Sequence, residues 1–435
     1  MTAINYNKMI EIRHETDVFV GGGGPAGALA AVAAAREGKK VFLAEGSCCF
    51  GGLGTIGMVP AYMQVSDGVN LCCAGLGKEI MDKAYAYSDG SHAYMSINKE
   101  ALKRAYDDML KEAGVEFRFM TQVIDVKTEA GRIDYAVLSG KSGIYAVKAK
   151  VYIDCTGDGD ICAMAGAEFA CGDANGIIMP STLCSLWTDI DWEARNKSGI
   201  AFNSFAEQAY NEGMLPVCDM HVPGVWKISK TTGGGNIGHA YNVNGTDEAS
   251  VTAAMLEQRR LLAAYQKYLN KFIPGFENAR LASTAEVLGI RASRRIIGDY
   301  VLGVEDFKSR AVFDDEIGRY CYPVDIHPAS PDKNAYAKFE KEYGQELRYN
   351  KGESYGITYR ALLPKTLSNV YTAGRCMSTD NYMQASIRVM PGCYITGQAA
   401  GTAAALAVSA NGETRRVNVN ELREKLRSSG AYLPH

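Results

Sequence analysis

Between Asp17 and Gly21 the chain reads DVFVG, a short apolar run of β type, and a glycine cluster follows at once. From Pro25 to Glu37 the pattern turns helical, with seven alanines between Ala26 and Ala35, and Gly38 ends it. KKVFLAE is a second apolar strand. Strand, loop, helix and strand within about 30 residues make the unit that builds a parallel sheet. Glu100–Glu112 has the amphipathic spacing of a helix stopped by Gly114. Three strand-like runs follow: VEFRFMTQVIDV, GRIDYAVLSG and IYAVKAKVYIDC, with Gly131, Gly140 and Gly143 at their turns. They predict an antiparallel β-meander inserted into the α/β fold, and VYIDCTGDGD predicts a strand returning to the parallel sheet.

From about Ile161 to Lys365 the pattern is mixed. It predicts a long helix at Glu248–Lys271, stopped near Pro274, and another around Ala285–Val301. NVYTAGRC then reads as a strand and loop, and MPGCYITGQAAGTAAALAVSA opens a helix of small residues. No repeat or low-complexity tract is present. The expected organisation is a Rossmann-like lobe from residues 1–160 and 366–435, interrupted by a mixed α+β substrate or cap domain, 161–365. The two halves of the lobe must fold together.

Gly22-x-Gly24-x-x-Gly27 follows the first strand and opens the first helix, and that context gives the motif its meaning. Gly22 allows a tight turn, Gly24 lets a diphosphate approach the backbone, and Gly27 lets helix and strand pack closely. The helix N-terminus offers free N–H groups to the diphosphate. Glu45 ends the second strand where an acid accepts ribose hydroxyls; the plainer reading is a solvated strand end. Gly51-Gly52 follows Glu45 by six residues. A second backbone approach so soon favours FAD over NAD. AGRC at Ala373–Cys376 fits a loop crossing the pyrophosphate, and Pro391-Gly392 starts a helix whose N–H groups could face a flavin. GGGNIG at Gly233–Gly238 has the same glycine spacing without the strand and small-residue helix around it, and is expected to be a loop of the substrate domain.

Of the 435 residues, 47% are hydrophobic and 22% charged, and the net charge is −3. That is a globular composition at roughly two or three domains. It argues against a nucleic-acid or anionic-membrane surface, as does the lack of any run of five like charges. MTAINYNKMIEIRHETD lacks the pattern of a secretory signal, and no apolar run approaches the ~20 residues of a membrane span. A cytoplasmic enzyme is expected. The 12 cysteines have neither C-x-x-C nor metal-site spacing, so no metal centre is expected and free, buried thiols are. A redox role for Cys48 or Cys49 is the alternative.

These stretches, with DCTGDGDICAMAGAEF, RASRRIIGDYVL, YPVDIHP, ITYRALLPK and SIRVMPGCYITGQAAGTAAALA, resemble the FAD-dependent oxidoreductase family related to the glutathione-reductase-type flavoproteins, in family order over nearly the whole chain. The resemblance implies FAD as cofactor. It implies an FAD site of Gly22, Gly24, Pro25, Ala26, Glu45, Gly51, Gly52, Thr55, Gly157, Asp158, Gly374 and Arg375. Val123 would touch the adenine, and Gly392 and Cys393 would lie near the flavin. Two departures stand out. Gly21 replaces a branched apolar residue. Asn381 and Gln384 stand where many members resemble a segment with histidines near the flavin.

Flavin performs hydride chemistry, and the protein positions substrate and moves protons. His327 follows Asp325 by two residues, so on a strand both point to one face; it is a candidate for proton transfer or a structural histidine. Arg291 and Arg294 share a face of the expected helix, with Arg295 turned away. They could clamp an anionic substrate, Arg294 first, or could simply be solvated or paired. Tyr359, Arg360, Asp380, Tyr382 and Arg388 are further candidates. The expected function is hydride transfer between FAD and a small polar, possibly anionic, organic molecule, with an unidentified electron partner. The alternative is a flavin-binding protein with a non-redox or assembly role; a tRNA-modifying flavoprotein is disfavoured by the charge.

Overall fold

The computed structural model describes residues 3–5 and 7–434. β1 (Ile12–Gly21) leads through the glycine turn into α1 (Pro25–Arg36), and β2 (Val41–Ala44) returns parallel to β1, with Gly21 opposite Ala44. Pro25 fixes the first helical φ, and Gly38, at φ +76°, turns the chain back towards the sheet. α2 (Leu76–Ala86) and α3 (Lys99–Glu112) follow. Asn98 caps α3 by accepting from the N–H groups of Glu100 and Ala101, and Leu102, Ala105, Tyr106 and Met109 form its buried face.

The run VEFRFMTQVIDV, expected as one strand, is two. β3 (Glu116–Arg118) lies parallel to β2, and β4 (Gln122–Glu129) belongs to the meander. Between them Met120 turns at φ +51°. The N–H groups of Met120 and Thr121 donate to the carbonyls of Ser47 and Glu45, each at 2.9 Å, so the link crosses the carboxyl end of the sheet. β5 (Arg132–Gly140) and β6 (Gly143–Asp154) complete the meander. β6 is continuous: its first half pairs antiparallel with β5, while it runs parallel to β1 from Ala146 to Asp154. One strand thus serves both meander and parallel sheet.

Beyond α4 (Asp160–Met164) and β7 (Phe169–Cys171) lies a second layer. It comprises β8 (Ser185–Thr188), α5 (Trp192–Ser198), α6 (Ala206–Asn211), β9 (Gly224–Lys227), β10 (Gly233–Asn236), α7 (Glu248–Phe272) and β11 (Arg280–Thr284). The four strands form an antiparallel sheet in the order β11-β8-β10-β9. Its core gathers Trp187, Leu262, Tyr265, Leu269 and Phe276. The GGGNIG segment is therefore largely a strand and not a loop. Glycines are needed there because a Cβ at Gly235 would lie 2.7 Å from the Trp187 indole nitrogen, and one at Gly234 2.5 Å from Pro60.

The helix expected at Ala285–Val301 does not form. The segment is extended, with β12 (Arg294–Ile296) antiparallel to β7. The backbones of Ala285, Glu286 and Gly289 bond to those of Cys184, Ile56 and Thr182. Pairing with distant segments overrides the local helical spacing, and Arg291 and Arg294 lose their shared helix face. After α8 (Val304–Ser309), β13 (Glu316–Tyr320), α9 (Lys333–Lys341) and β14 (Tyr355–Thr358), β15 (Val370–Thr372) joins the main sheet parallel to β6. α10 (Asn381–Ile387), α11 (Met390–Ser409) and α12 (Val419–Ser428) end the fold. The main core takes Leu302, Phe307, Ile317, Tyr320 and Tyr355 as well as α1 and α11, and a third core between sheet and meander takes Ile161, Cys162 and Ile296, so residues 161–365 are shared among three cores. Among the described residues no helix is long and apolar enough to cross a membrane.

Candidate functional site

A cavity of about 1120 Å³ opens at the carboxyl ends of β1, β2, β6 and β15, walled on its other side by the second layer. Ligands of open α/β sheets bind in this position. The volume exceeds the ~300–1,000 Å³ usual for a small-molecule pocket, which leaves room for a dinucleotide and a substrate together.

The first wall is the turn between β1 and α1. Gly22 has φ +90°, and a Cβ there would lie 2.5 Å from the Cys155 carbonyl oxygen. A Cβ on Gly27 would lie 1.8 Å from the Gly22 carbonyl oxygen, so helix and turn meet without side chains. Gly24 differs from both: nothing lies within 4 Å of its missing Cβ. That space belongs to the cavity, which Pro25 and Ala26 also line. No side chain caps the N-terminus of α1, so its free N–H groups are available to an anion. This wall fits a diphosphate. Gly21, the departure from the family pattern, makes room for Ile161, whose Cδ1 would lie 2.3 Å from a Cβ on it.

The second glycine cluster packs onto the first. Gly51, at φ +94°, donates from its N–H to the Gly23 carbonyl at 2.9 Å, and Gly52 lies against Gly24 in the cavity wall. Gly51 itself faces Tyr106 and not the cavity. The Thr55 hydroxyl donates to the Phe50 carbonyl at 2.6 Å, bracing the loop from behind. Glu45 lines the cavity with its carboxylate held by two backbone donors, Gly23 N–H at 2.6 Å and Ser47 N–H at 2.7 Å. It is a fixed acceptor and not a loose strand end.

Val123, Gly157, Asp158, Gly374, Arg375 and Cys393 also line the cavity. Arg375 donates from Nη1 to Asp158 at 2.7 Å and to the Ser293 hydroxyl at 2.6 Å. Burial pushes the Cys393 thiol up to about 12, and its Sγ bonds the Arg388 carbonyl at 3.1 Å. Gly392 stands apart from the wall. It sits where a Cβ would lie 2.3 Å from the Ile387 carbonyl oxygen, a packing role at the start of α11. All twelve cysteines are free; Cys48 is exposed, and burial pushes Cys49 up to about 11.

The candidates for chemistry divide. His327 and Arg291 line the cavity, with Asp325 and Arg388. Arg294 does not. Its Nη1 donates to the Asp160 carboxylate at 2.8 Å and to the Asp158 carbonyl at 3.3 Å, so its charge is already taken. The Tyr359 hydroxyl is buried between the Tyr371 hydroxyl, at 2.7 Å, and the Thr414 carbonyl, at 2.6 Å. Asp380 caps α10 through the Met383 N–H and also accepts from the Val304 N–H, each at 2.7 Å. With Tyr382 and Arg295 it lines a separate cavity of about 740 Å³. Arg360 pairs with Asp315 away from both.

Arg291 is 7% exposed. Nη1 donates to the Pro180 carbonyl and the Thr182 hydroxyl, each at 2.8 Å, and Nη2 to the Asn236 amide oxygen at 3.2 Å. Among the described residues no carboxylate pairs with it. Burial first, and the charge of Arg388 next, push it down to about 10. Arg388 donates to the Asp325 carbonyl at 3.1 Å and reaches its carboxylate at 3.4 Å, while its buried Nε–H lacks a partner. The sequence pattern held no sign of Thr182, Asn236, His221 or His239 as neighbours of these groups, since each comes from a different segment.

Solved structures similar to the chain include a geranylgeranyl bacteriochlorophyll reductase-like protein from Thermoplasma acidophilum. It is 12% identical, with a TM-score of 0.48, over 96% of this chain and 84% of that one. Another is p-nitrophenol 4-monooxygenase PnpA from Pseudomonas putida DLL-E4, also 12% identical, with a TM-score of 0.43 and the same coverage of 96% and 84%. No curated protein matches. The sequence model for FAD dependent oxidoreductases matches residues 17–426, nearly the whole chain and every wall of the large cavity. The chain belongs to the FAD-dependent oxidoreductase family, and FAD is its cofactor.

Proposed function

We propose that the enzyme transfers hydride between its flavin and a small polar organic molecule bearing a carboxylate or similar anion, held by Arg291 and Arg388. The observation that carries this reading is Arg291: a buried guanidinium on the cavity wall with no carboxylate partner among the described residues. An unpaired buried charge is costly, and an anionic ligand relieves that cost. Of the five guanidinium N–H groups, three are used by Pro180, Thr182 and Asn236. The remainder are free for a ligand, and the three fixed bonds hold the fork in one orientation. The unpartnered Nε–H of Arg388 adds a second donor.

FAD, when bound, supplies the hydride donor or acceptor. The chain's share is binding and orientation. The glycine turns and the N-terminus of α1 hold the diphosphate, Glu45 takes ribose hydroxyls, and the second layer closes the cavity against water. Arg291 and Arg388 fix the substrate's charged end, so that its reacting carbon is presented in one pose.

The test is anaerobic bleaching of the flavin by a panel of small organic acids and their uncharged amides. Acids bleach and amides do not. A charge-assisted bond is worth about 1.5–3 kcal/mol, so Arg291→Met is expected to lose roughly 10- to 150-fold in kcat/KM for the acid. FAD content per chain stays unchanged. Equal turnover of acid and amide would overturn the anion reading, and so would normal kcat/KM in Arg291→Met.

A further inference from the structure

Asp219, His239, His327 and Asp325 stand in one line. Asp219 Oδ2 lies 2.7 Å from His239 Nδ1, His239 Nε2 lies 2.8 Å from His327 Nδ1, and His327 Nε2 lies 3.4 Å from Asp325 Oδ2. The first two contacts are hydrogen bonds, and the third is a close approach and not a bond. Two neutral imidazoles bring one N–H each, and ionised carboxylates bring none. As it stands one of the two N–H groups is spent on the other ring; with a metal ion between the rings, each ring would instead turn its N–H to a carboxylate.

A third ring completes the cluster. His221 stacks on His239 at 5.4 Å between ring centres and 8° between planes, and meets His327 edge-on at 4.5 Å. One ring nitrogen from each of the three histidines lies within 4.8 Å of the others. The fold builds this arrangement. β9 and β10 pair Gly224 with Asn236, and His221 and His239 each lie three residues beyond that pair, at matching positions of the extended hairpin. His327 arrives from the irregular segment after β13 and closes the third side.

We propose that His221, His239 and His327 bind one divalent transition-metal ion of the zinc class. Three imidazoles without thiolate suit zinc, nickel, copper or iron better than calcium or magnesium. Asp219 and Asp325 stand where the outer N–H groups of metal-bound histidines find carboxylates, fixing the rings and offsetting the ion's charge. Three protein ligands leave a fourth position open. His327 also lines the large cavity, so the ion lies at the wall of the substrate space. No ligand spacing along the chain announces this site, because the three histidines come from separate segments.

The site stands independently of the anion reading for Arg291, and its test needs no substrate. The FAD-loaded protein is stripped with a chelator, dialysed and titrated with cobalt(II) chloride. The expected result is one equivalent bound, with visible ligand-field bands in the difference spectrum, displaced by zinc. His221→Ala is expected to abolish the bands while keeping the flavin absorbance, and Asp219→Asn to weaken cobalt binding about 10- to 100-fold. Binding well below one equivalent in the wild type would overturn the proposal. So would His221→Ala binding cobalt as the wild type does. A low-field exchangeable proton signal in the wild type, lost in His239→Ala, together with no cobalt binding, would assign the cluster to a chain of hydrogen bonds and overturn it equally.

Discussion

At Gly24 the space a Cβ would fill is cavity, whereas at Gly22 it is the Cys155 carbonyl oxygen, 2.5 Å away. The two glycines therefore fail differently when replaced. Gly24 has φ −64° and ψ −173°, a backbone that any residue adopts. Gly24→Val is expected to fold, with an unfolding free energy from urea titration within about 0.5 kcal/mol of wild type, as for a substitution that meets no neighbour. It should nevertheless be purified colourless, because the branched side chain would fill the space proposed for the diphosphate. Flavin absorbance per chain and urea unfolding check the two halves of this expectation. Full FAD occupancy in Gly24→Val would show that the cradle lies elsewhere. The place of Gly24 and Glu45 at the cavity wall was legible in the residues because strand, glycine turn and helix are neighbours in sequence. Arg291 and Arg294 were not separable in that way. Both are arginines in RASRR, and only Asp160, 134 residues from Arg294, ties Arg294 down away from the cavity. Gly51, Thr55 and Gly392 belong to the same loops as wall residues but point away from the wall, a distinction that motif spacing does not hold.

At the scale of elements, α1 and α11 decide whether the two ends of the chain make one lobe. A Cβ on Gly397 would lie 2.2 Å from the Ala26 carbonyl oxygen, and one on Gly401 2.1 Å from that of Ala30. The two glycines are one helical turn apart and face two small residues on α1, so the backbones touch. Helix propensity alone would make Gly401→Ala stabilising by about 1 kcal/mol. Overpacking against a backbone atom that cannot rotate away costs about 1–3 kcal/mol. The second effect is the larger, so Gly401→Ala is expected to lower the urea midpoint, with a net loss of up to about 2 kcal/mol. A raised midpoint would mean that the helices do not approach this closely. The alanine and glycine stripe of α11 was readable as a helix of small residues, and α7 was readable from its period and from Pro274. Ala285–Val301 misled because its spacing suits a helix while its backbone bonds are to Cys184, Ile56 and Thr182. Tertiary pairing of that kind leaves no local trace.

At the scale of the molecule, the cavity is the place where the main core and the second-layer core meet. The main core supplies the glycine turns and Glu45, and the second layer supplies Thr182, Asn236 and Arg291. A ligand spanning that space stabilises both layers, provided they unfold together. The three tryptophans, Trp187, Trp192 and Trp226, all lie in the second layer, so tryptophan emission reports on that layer alone, whereas far-ultraviolet circular dichroism reports on the whole chain. FAD at a hundredfold excess over its Kd adds about 2.7 kcal/mol to the state that binds it. Because Ala285, Leu288 and Ile290 pack in the second-layer core and Ala292, two residues on, in the main core, the layers are expected to unfold as one unit. Adding FAD to apo-protein should then raise the thermal midpoint seen by tryptophan emission as much as that seen by circular dichroism. Gly24→Val, which keeps the fold but not the diphosphate cradle, should show no shift by either probe. A circular-dichroism midpoint that rises with FAD while the tryptophan midpoint stays fixed would mean that the second layer folds without regard to the cofactor. Arg291 would then sit on a separately folding lid, and its substitution would change substrate affinity with no effect on how tightly FAD is held.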